Sequence, residues 1–144
     1  MNHGYCGRQT DNGANPYTAN IEQLAVQNHN FRTALWTGNH LQMTLVCIPP
    51  CGDIGLEVHP DTDQHIRIEQ GSAMVKMGAC KERLDFQQNM CRGDAVFVPA
   101  GTWHNIINTG RIPLKVSSIY APPHHPRGTV HCTKVDAERE ERGW

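Results

Sequence analysis

No stretch of this chain approaches the roughly 18–20 consecutive apolar residues that a membrane-spanning helix needs. A helical membrane protein is therefore not expected. The opening residues, Met1-Asn2-His3-Gly4-Tyr5-Cys6, lack the charged-then-apolar layout of a secretory signal, so the expectation is a cytoplasmic protein. There is no basic block. Lysine and arginine are spread along the chain and the formal net charge is −1, which argues against a nucleic-acid or membrane surface. None of the six cysteines (Cys6, Cys47, Cys51, Cys80, Cys91 and Cys132) forms a C-x-x-C pair, so neither a zinc knuckle nor a thioredoxin-like site is expected. Cys47 and Cys51 flank Pro49-Pro50, but buried or free thiols in a reducing compartment are the simpler expectation. A Gly-rich phosphate loop followed by lysine is missing. So are an internal repeat and any nucleophile–histidine pair that spacing alone would reveal.

What remains is a chain of 144 residues, 38% hydrophobic, with its apolar residues in short segments. That length suits one domain, with enough surface to bury for independent folding. Nine histidines raise the prior for metal or proton chemistry.

Residues 1–30 read as an N-terminal arm. Within it, residues 20–28 suit either a short helix or an extended cover. From residue 31 short apolar and β-branched runs alternate with turn signals. The predicted strands are Phe31–Trp36, Leu41–Ile48, Glu57–His59, Gln64–Glu69, Ala73–Met77, Ala95–Val98, Trp103–Asn108 and Leu114–Tyr120. Gly38-Asn39, Gly71-Ser72, Pro99-Ala100-Gly101 and Thr109-Gly110-Arg111 supply turns between them. Many short strands with little helix between them predict an all-β barrel or sandwich over residues 31–121. Residues 122–144 form a tail. Its prolines at 122, 123 and 126 bar a central strand, and Thr133–Arg142 reads as a short helix capped by Thr133 or Asp136.

Two segments carry the chemistry. Glu57 and His59, two residues apart on a strand, point the same way, and Gln64 begins the next strand with Ile66 and Ile68 on its face. His65, Arg67 and Glu69 fall on the opposite face, expected to be solvated. In the second segment, residues 93–108, alternation puts His104, Ile106 and Asn108 on one face. Polar side chains on an otherwise apolar inner face are costly unless something satisfies them, and a metal ion would do so.

These residues resemble the cupin superfamily. Its second motif, G-x5-P-x-G-x2-H-x3-N, is matched at every fixed position by Gly93, Pro99, Gly101, His104 and Asn108. The first motif, G-x5-H-x-H-x(3,4)-E-x6-G, is matched in part. His59 and Gly71 fall in place, Glu57 stands for the first histidine and Gln64 for the glutamate, while Gly52 lies one residue too close to Glu57. The resemblance implies a double-stranded β-helix of the jelly-roll type with a short C-terminal helix. It also implies one divalent metal ion held by Glu57, His59, Gln64 and His104. Two histidines and one carboxylate suit iron, manganese, zinc or nickel. Asp63 competes with Gln64 for the fourth place, and the spacing to Gly71 favours Gln64.

The same resemblance implies a metal-dependent isomerase, lyase or dioxygenase acting on a small polar molecule such as a sugar derivative or an oxygenated acid. Glu57 and His104 would be its catalytic residues, and similar small cupins are labelled mannose-6-phosphate isomerase-like. A barrel that binds or senses a sugar without turnover is the alternative. A homodimer is expected. His124, His125 and His131 lie beyond the barrel, where a solvated or subunit-crossing tail is the simpler reading and a cover over the barrel mouth the sharper one. Asp61 and Asp63 suit turn chemistry, Trp36 and Met43 the barrel interior, Trp103 an outward position, and Arg111 and Lys115 the surface.

Overall fold

Turn residues cut the chain into strands too short to fold alone, and each must bury one face against another. In the computed structural model, which describes residues 11–141, these are β1 (Arg32–Thr37), β2 (Gln42–Ile48), β3 (Asp63–Gln70), β4 (Ser72–Gly78), β5 (Phe86–Cys91), β6 (Ala95–Val98), β7 (Trp103–Asn108), β8 (Leu114–Ala121) and β9 (Val130–His131). Helix α1 (Ile21–Gln27) precedes them and α2 (Lys134–Glu141) follows. The strands pair antiparallel in a six-stranded sheet ordered β6-β3-β8-β2-β1-β9 and a three-stranded sheet ordered β5-β4-β7. This is the expected all-β architecture, with the expected short C-terminal helix.

The two sheets close over one core that includes Ile48, Ile66, Ile68, Val75, Ile106 and Leu114, all buried. Burial of each such side chain is worth about 1.5–3 kcal/mol. The alternation that predicted the faces holds in β7, where His104, Ile106 and Asn108 are buried and Trp103, Asn105 and Ile107 are half-exposed.

Residues 20–28, left open between helix and extended cover, form α1. Asn20 caps it by accepting the Gln23 amide at 2.9 Å. The helix lies against the outer face of β2, β3 and β8, and this corrects several expectations. Met43 packs with Ile21, Leu24, Ala25, Leu35 and Leu45 under α1, outside the barrel core. Trp36 turns outward too, its indole donating to the Asn15 carbonyl at 2.8 Å. Glu69 and Lys115 are each 2% exposed. Glu69 accepts from Ser117 Oγ and Arg67 Nη1, both at 2.7 Å, and Lys115 donates Nζ to the Asn28 carbonyl at 2.5 Å. Arg111 is exposed as expected.

The segment Glu57–His59 is not a full strand. The chain from residue 53 to 59 meets β7 at isolated pairs, Asp53 with Ile107 and Glu57 with His104. Between them Gly55, at φ +91°, breaks the ladder. Strand β5 escaped the sequence reading because Phe86 to Asn89 are all exposed and carry no alternation. In the tail, Thr133 and Asp136 cap α2 reciprocally. Thr133 Oγ1 accepts the Asp136 amide at 3.3 Å, and Asp136 Oδ2 accepts the Thr133 amide at 3.1 Å. Arg142, at the end of the predicted helix, and residues 1–10 of the predicted arm lie outside the described residues. Cys47, Cys51, Cys80 and Cys91 are free thiols. Cys132 is disulfide-bonded, which corrects the expectation of thiols for that residue. Among the described residues no helix is long and apolar enough to cross a membrane.

Candidate metal centre

The strand and turn chemistry of residues 93–108 sets the first donor. Gly101, at φ +81°, closes the turn before β7 and donates its amide to the His59 carbonyl at 2.9 Å. The same turn therefore anchors both histidines. His104 Nδ1 lies 3.0 Å from the Thr102 carbonyl. A carbonyl only accepts, so Nδ1 carries the proton and Nε2 presents its lone pair inward. Glu57 and His104 exchange backbone hydrogen bonds of 2.9 Å in each direction, which puts their side chains on the same side of the pair.

Glu57, His59 and His104 each offer one donor atom, and the three atoms lie within 4.8 Å of one another. Small side-chain rotations would bring them to the ~3–4 Å separations that bonds of about 2.1 Å require. His59 Nε2 lies 3.6 Å from Glu57 Oε1, an ion-pair distance that is too long for a hydrogen bond. His59 Nε2, His104 Nε2 and Gln64 Oε1 are all buried without a hydrogen-bond partner. Two orphaned acceptor-capable imidazole nitrogens beside a carboxylate fit a bound cation, because nothing else described satisfies them.

The spacing question between Gln64 and Asp63 has a structural counterpart. The two point to opposite faces of β3. Gln64 is buried, with Nε2 donating to Ser118 Oγ at 2.8 Å and Oε1 left over. Asp63 is exposed, and its Oδ1 accepts the Ala100 amide at 2.9 Å, so it supports the turn before β7. Asp61 is also exposed.

Electrostatics keep the group ready for a cation. Burial pushes the Glu57 carboxyl up, but His59, the Arg32 charge and His104 outweigh it and hold the group below the usual carboxylate range. Burial pushes His104 down, which keeps its imidazole neutral and able to coordinate.

Two of the three tail histidines, His125 and His131, are buried, and His124 is exposed at the cavity wall. A cavity of about 560 Å³ opens over Glu57 and His59, and His124, His125 and Pro126 form part of its wall. The His124 ring centroid is 4.1 Å from that of His59. His125 and His131 are buried at 8% and 4% exposure. The tail thus forms part of the cavity wall, and burial of His125 and His131 corrects the expectation of a solvated tail for those two residues. Trp103, expected to face away, joins the cavity wall.

Four further groups were not singled out from the sequence. Tyr120 is fully buried, its ring 5.9 Å from His59, and burial pushes its phenol up. Arg32 projects from β1. Glu140 and Glu141 reach the cavity from α2. The Glu141 carboxyl is pushed up by burial and by Glu57, against which it lies. Only Arg32 left a trace in the sequence, as a lone charge in an otherwise uncharged strand.

A family model described as cupin domain matches residues 44–120. Among curated proteins, the uncharacterized protein YrkC of Bacillus subtilis (strain 168) is 57% identical over 131 residues, covering 91% of this chain and 70% of the relative. Among solved structures, BH2720 from Bacillus halodurans is 52% identical, with a TM-score of 0.90 over 91% of this chain and 99% of that one. Oxalate decarboxylase OxdC of Bacillus subtilis is 25% identical, with a TM-score of 0.55 over 61% of this chain and 23% of that one.

Proposed function

The chain belongs to the cupin family, and from that premise we propose that it is a metal-dependent enzyme of isomerase, lyase or dioxygenase type, acting on a small polar molecule such as a sugar derivative or an oxygenated acid. One observation carries this reading. His59 Nε2 and His104 Nε2 are buried acceptor-capable atoms with no partner, gathered with Glu57, and a cavity large enough for a small ligand opens over Glu57 and His59. Glu57, His59 and His104 would hold one divalent ion, iron, manganese, zinc or nickel, with Gln64 as the weak fourth ligand. When bound, such an ion supplies Lewis-acid stabilisation of a developing oxyanion.

The chain's own groups do the remaining work. Glu57 is the carboxylate placed to take a proton at its Oε atoms. His104 stays neutral and fixed by the Thr102 carbonyl. His124, beside His59 and pushed down by burial, is a neutral imidazole at the cavity wall and a second site for proton transfer. The tail restricts water at the mouth. That OxdC of B. subtilis is named an oxalate decarboxylase supports acid chemistry on this kind of barrel.

The reading includes a homodimer. Strand β6 leaves one ladder open at the sheet edge, and Phe97 on it is 72% exposed. A monomer in light scattering at high concentration would refute it. A cytoplasmic setting belongs to the same reading, with the Cys132 disulfide as the feature that departs from it.

Elemental mass spectrometry of protein purified without a histidine tag tests the centre. Near one equivalent of metal supports it, and none after reconstitution overturns it. Ligand binding without product over long incubation would leave a binding or sensing barrel instead.

A further inference from the structure

A second cavity, of about 520 Å³, shares no lining residue with the one over Glu57. Cys47, Cys51 and Cys132 all line it, while Cys80 and Cys91 stand exposed elsewhere. Sulfur is present there in two oxidation states. Cys47 and Cys51 are free thiols, and Cys132 is disulfide-bonded. The bonding partner of Cys132 lies outside the described residues, because Cys47, Cys51, Cys80 and Cys91 are all free. Cys132 is half-buried, so its sulfur is open to a molecule in the cavity.

One backbone row sets the spacing. Cys47 donates its amide to the Phe31 carbonyl at 3.1 Å, and Phe31 donates its own to the Cys132 carbonyl at 3.2 Å. Two strand spacings, about 10 Å, therefore separate the α-carbons of Cys47 and Cys132. A disulfide spans no more than about 7 Å between α-carbons, so Cys47 cannot take over the Cys132 bond directly. A small thiol held in the cavity can reach it. Asp53 and Lys134 form an ion pair in the wall. Paired opposite charges suit the ammonium and carboxylate of an amino-acid or peptide thiol.

The position of Cys132 gives the bond a consequence. It stands between β9 and α2, and α2 carries Glu140 and Glu141 to the wall of the first cavity. His131, its neighbour, has Nδ1 3.2 Å from Arg32 Nη1 and Nε2 3.0 Å from Glu140 Oε2. The ladder of β9 on β1 consists of Arg32 with His131 and Thr33 with Val130. A covalent tether at this joint restrains elements that have little backbone pairing of their own.

We propose that the second cavity is a thiol–disulfide exchange site for a zwitterionic low-molecular-weight thiol, and that reduction of the Cys132 disulfide there releases β9 and α2 from the wall of the first cavity. The thiolate of one small thiol attacks the disulfide. The S–S bond breaks, one sulfur becomes a mixed disulfide with the small molecule, and the other leaves as a thiolate that takes up a proton. A second small thiol attacks the mixed disulfide. Two small thiols are thereby oxidised to one small disulfide, and the protein disulfide is reduced to two thiols. The site does not depend on the metal-centre reading, and its test needs no metal.

The test treats the full chain, purified without reductant, with reduced glutathione under native conditions. Free thiols are then alkylated and mapped by mass spectrometry, and parallel samples are digested briefly with trypsin. Glutathione is expected to convert Cys132 to an alkylatable thiol. Cleavage after Lys134 and Arg139 in α2 should rise tenfold or more, while cleavage after Arg67 in β3 and Lys76 in β4 stays unchanged. Cys132→Ser should show the raised α2 cleavage without glutathione, and Cys80→Ser should behave as the parent. Should Cys132→Ser fail to fold, the parent with and without glutathione decides alone. Alkylation of Cys132 before any reductant is added would overturn the proposal. So would a disulfide that resists glutathione in the folded protein, or reduction that leaves α2 cleavage unaltered. An equal rise at Arg67 and Lys76 would overturn it too, because the bond would then hold the whole barrel and not the wall. Transfer of the bond to Cys51, read as a Cys51–Cys132 peptide, would show exchange without release and would equally refute it.

Discussion

Glu57 and His104 face each other across a two-way backbone bond, each amide 2.9 Å from the other's carbonyl, although only the histidine stands on a regular strand. The pair carries two of the three gathered donors. Glu57→Ala and His104→Ala should each lower bound metal from near one equivalent to below about a tenth, measured by elemental mass spectrometry. Removing metal from the parent with a chelator should lower its melting temperature. The lost stabilisation is about 2.7 kcal/mol if free metal stands at a hundred times its dissociation constant. A melting curve indifferent to chelator would count against a resident ion.

His125 should make the metal-free protein acid-sensitive. Burial, then Arg32 and the neighbouring imidazoles, push its folded-state pKa from 6.5 down to about 2. Above about pH 6.5 the ring is neutral both folded and unfolded, and its contribution is fully retained. Below that the unfolded chain takes up a proton the folded chain refuses, so stability falls as pH falls toward about 2. The loss between pH 7 and pH 5 is about 2 kcal/mol from this residue. His125→Asn should flatten the dependence of the urea midpoint on pH over that range. An unaltered slope would show that the folded protein accepts the proton.

Gly101 links turn geometry to metal affinity. A Cβ at this position meets nothing within 4 Å, so the cost of Gly101→Ala comes from φ +81° alone, about 1–2 kcal/mol. Its amide holds the His59 carbonyl, so metal affinity should drop as well. Gly93→Ala is the control. Gly93 has φ +92° and similar open space, but its amide bonds to the Ile68 carbonyl. It should lose similar stability in urea titrations with metal affinity unchanged. Equal affinity loss in both would remove the link to His59.

Lys115 should behave as a buried group. Lys115→Met leaves the Asn28 carbonyl without its 2.5 Å donor and should cost about 1–3 kcal/mol in urea unfolding. A change within experimental error would mean that water replaces the ammonium.

The barrel was legible because strand alternation and turn residues are local signals. Ala95–Val98 and Trp103–Asn108 have the predicted bounds, and the Gly93–Asn108 spacing placed His104 on its face. Lys115 and Glu69 were misplaced because alternation names a face without saying what covers it. Here α1, distant in sequence, covers the outside of the large sheet. Glu140 and Glu141 were missed for a related reason. They join the cavity only when α2 packs back against the barrel, and no spacing within the chain encodes that meeting.

The donors and their cover are built to different standards. His104 stands in β7, Glu57 pairs with its backbone, and the His59 carbonyl accepts the Gly101 amide. The opposite wall depends on the two-residue strand β9 and the eight-residue helix α2. A segment with so few ladder bonds opens by local unfolding, at a free energy well below that of the whole molecule. The interior therefore has two clocks. The tail is expected to fray while the donor geometry survives each opening. Amide protons of β9 and α2 should exchange with solvent long before those of β7 and β8.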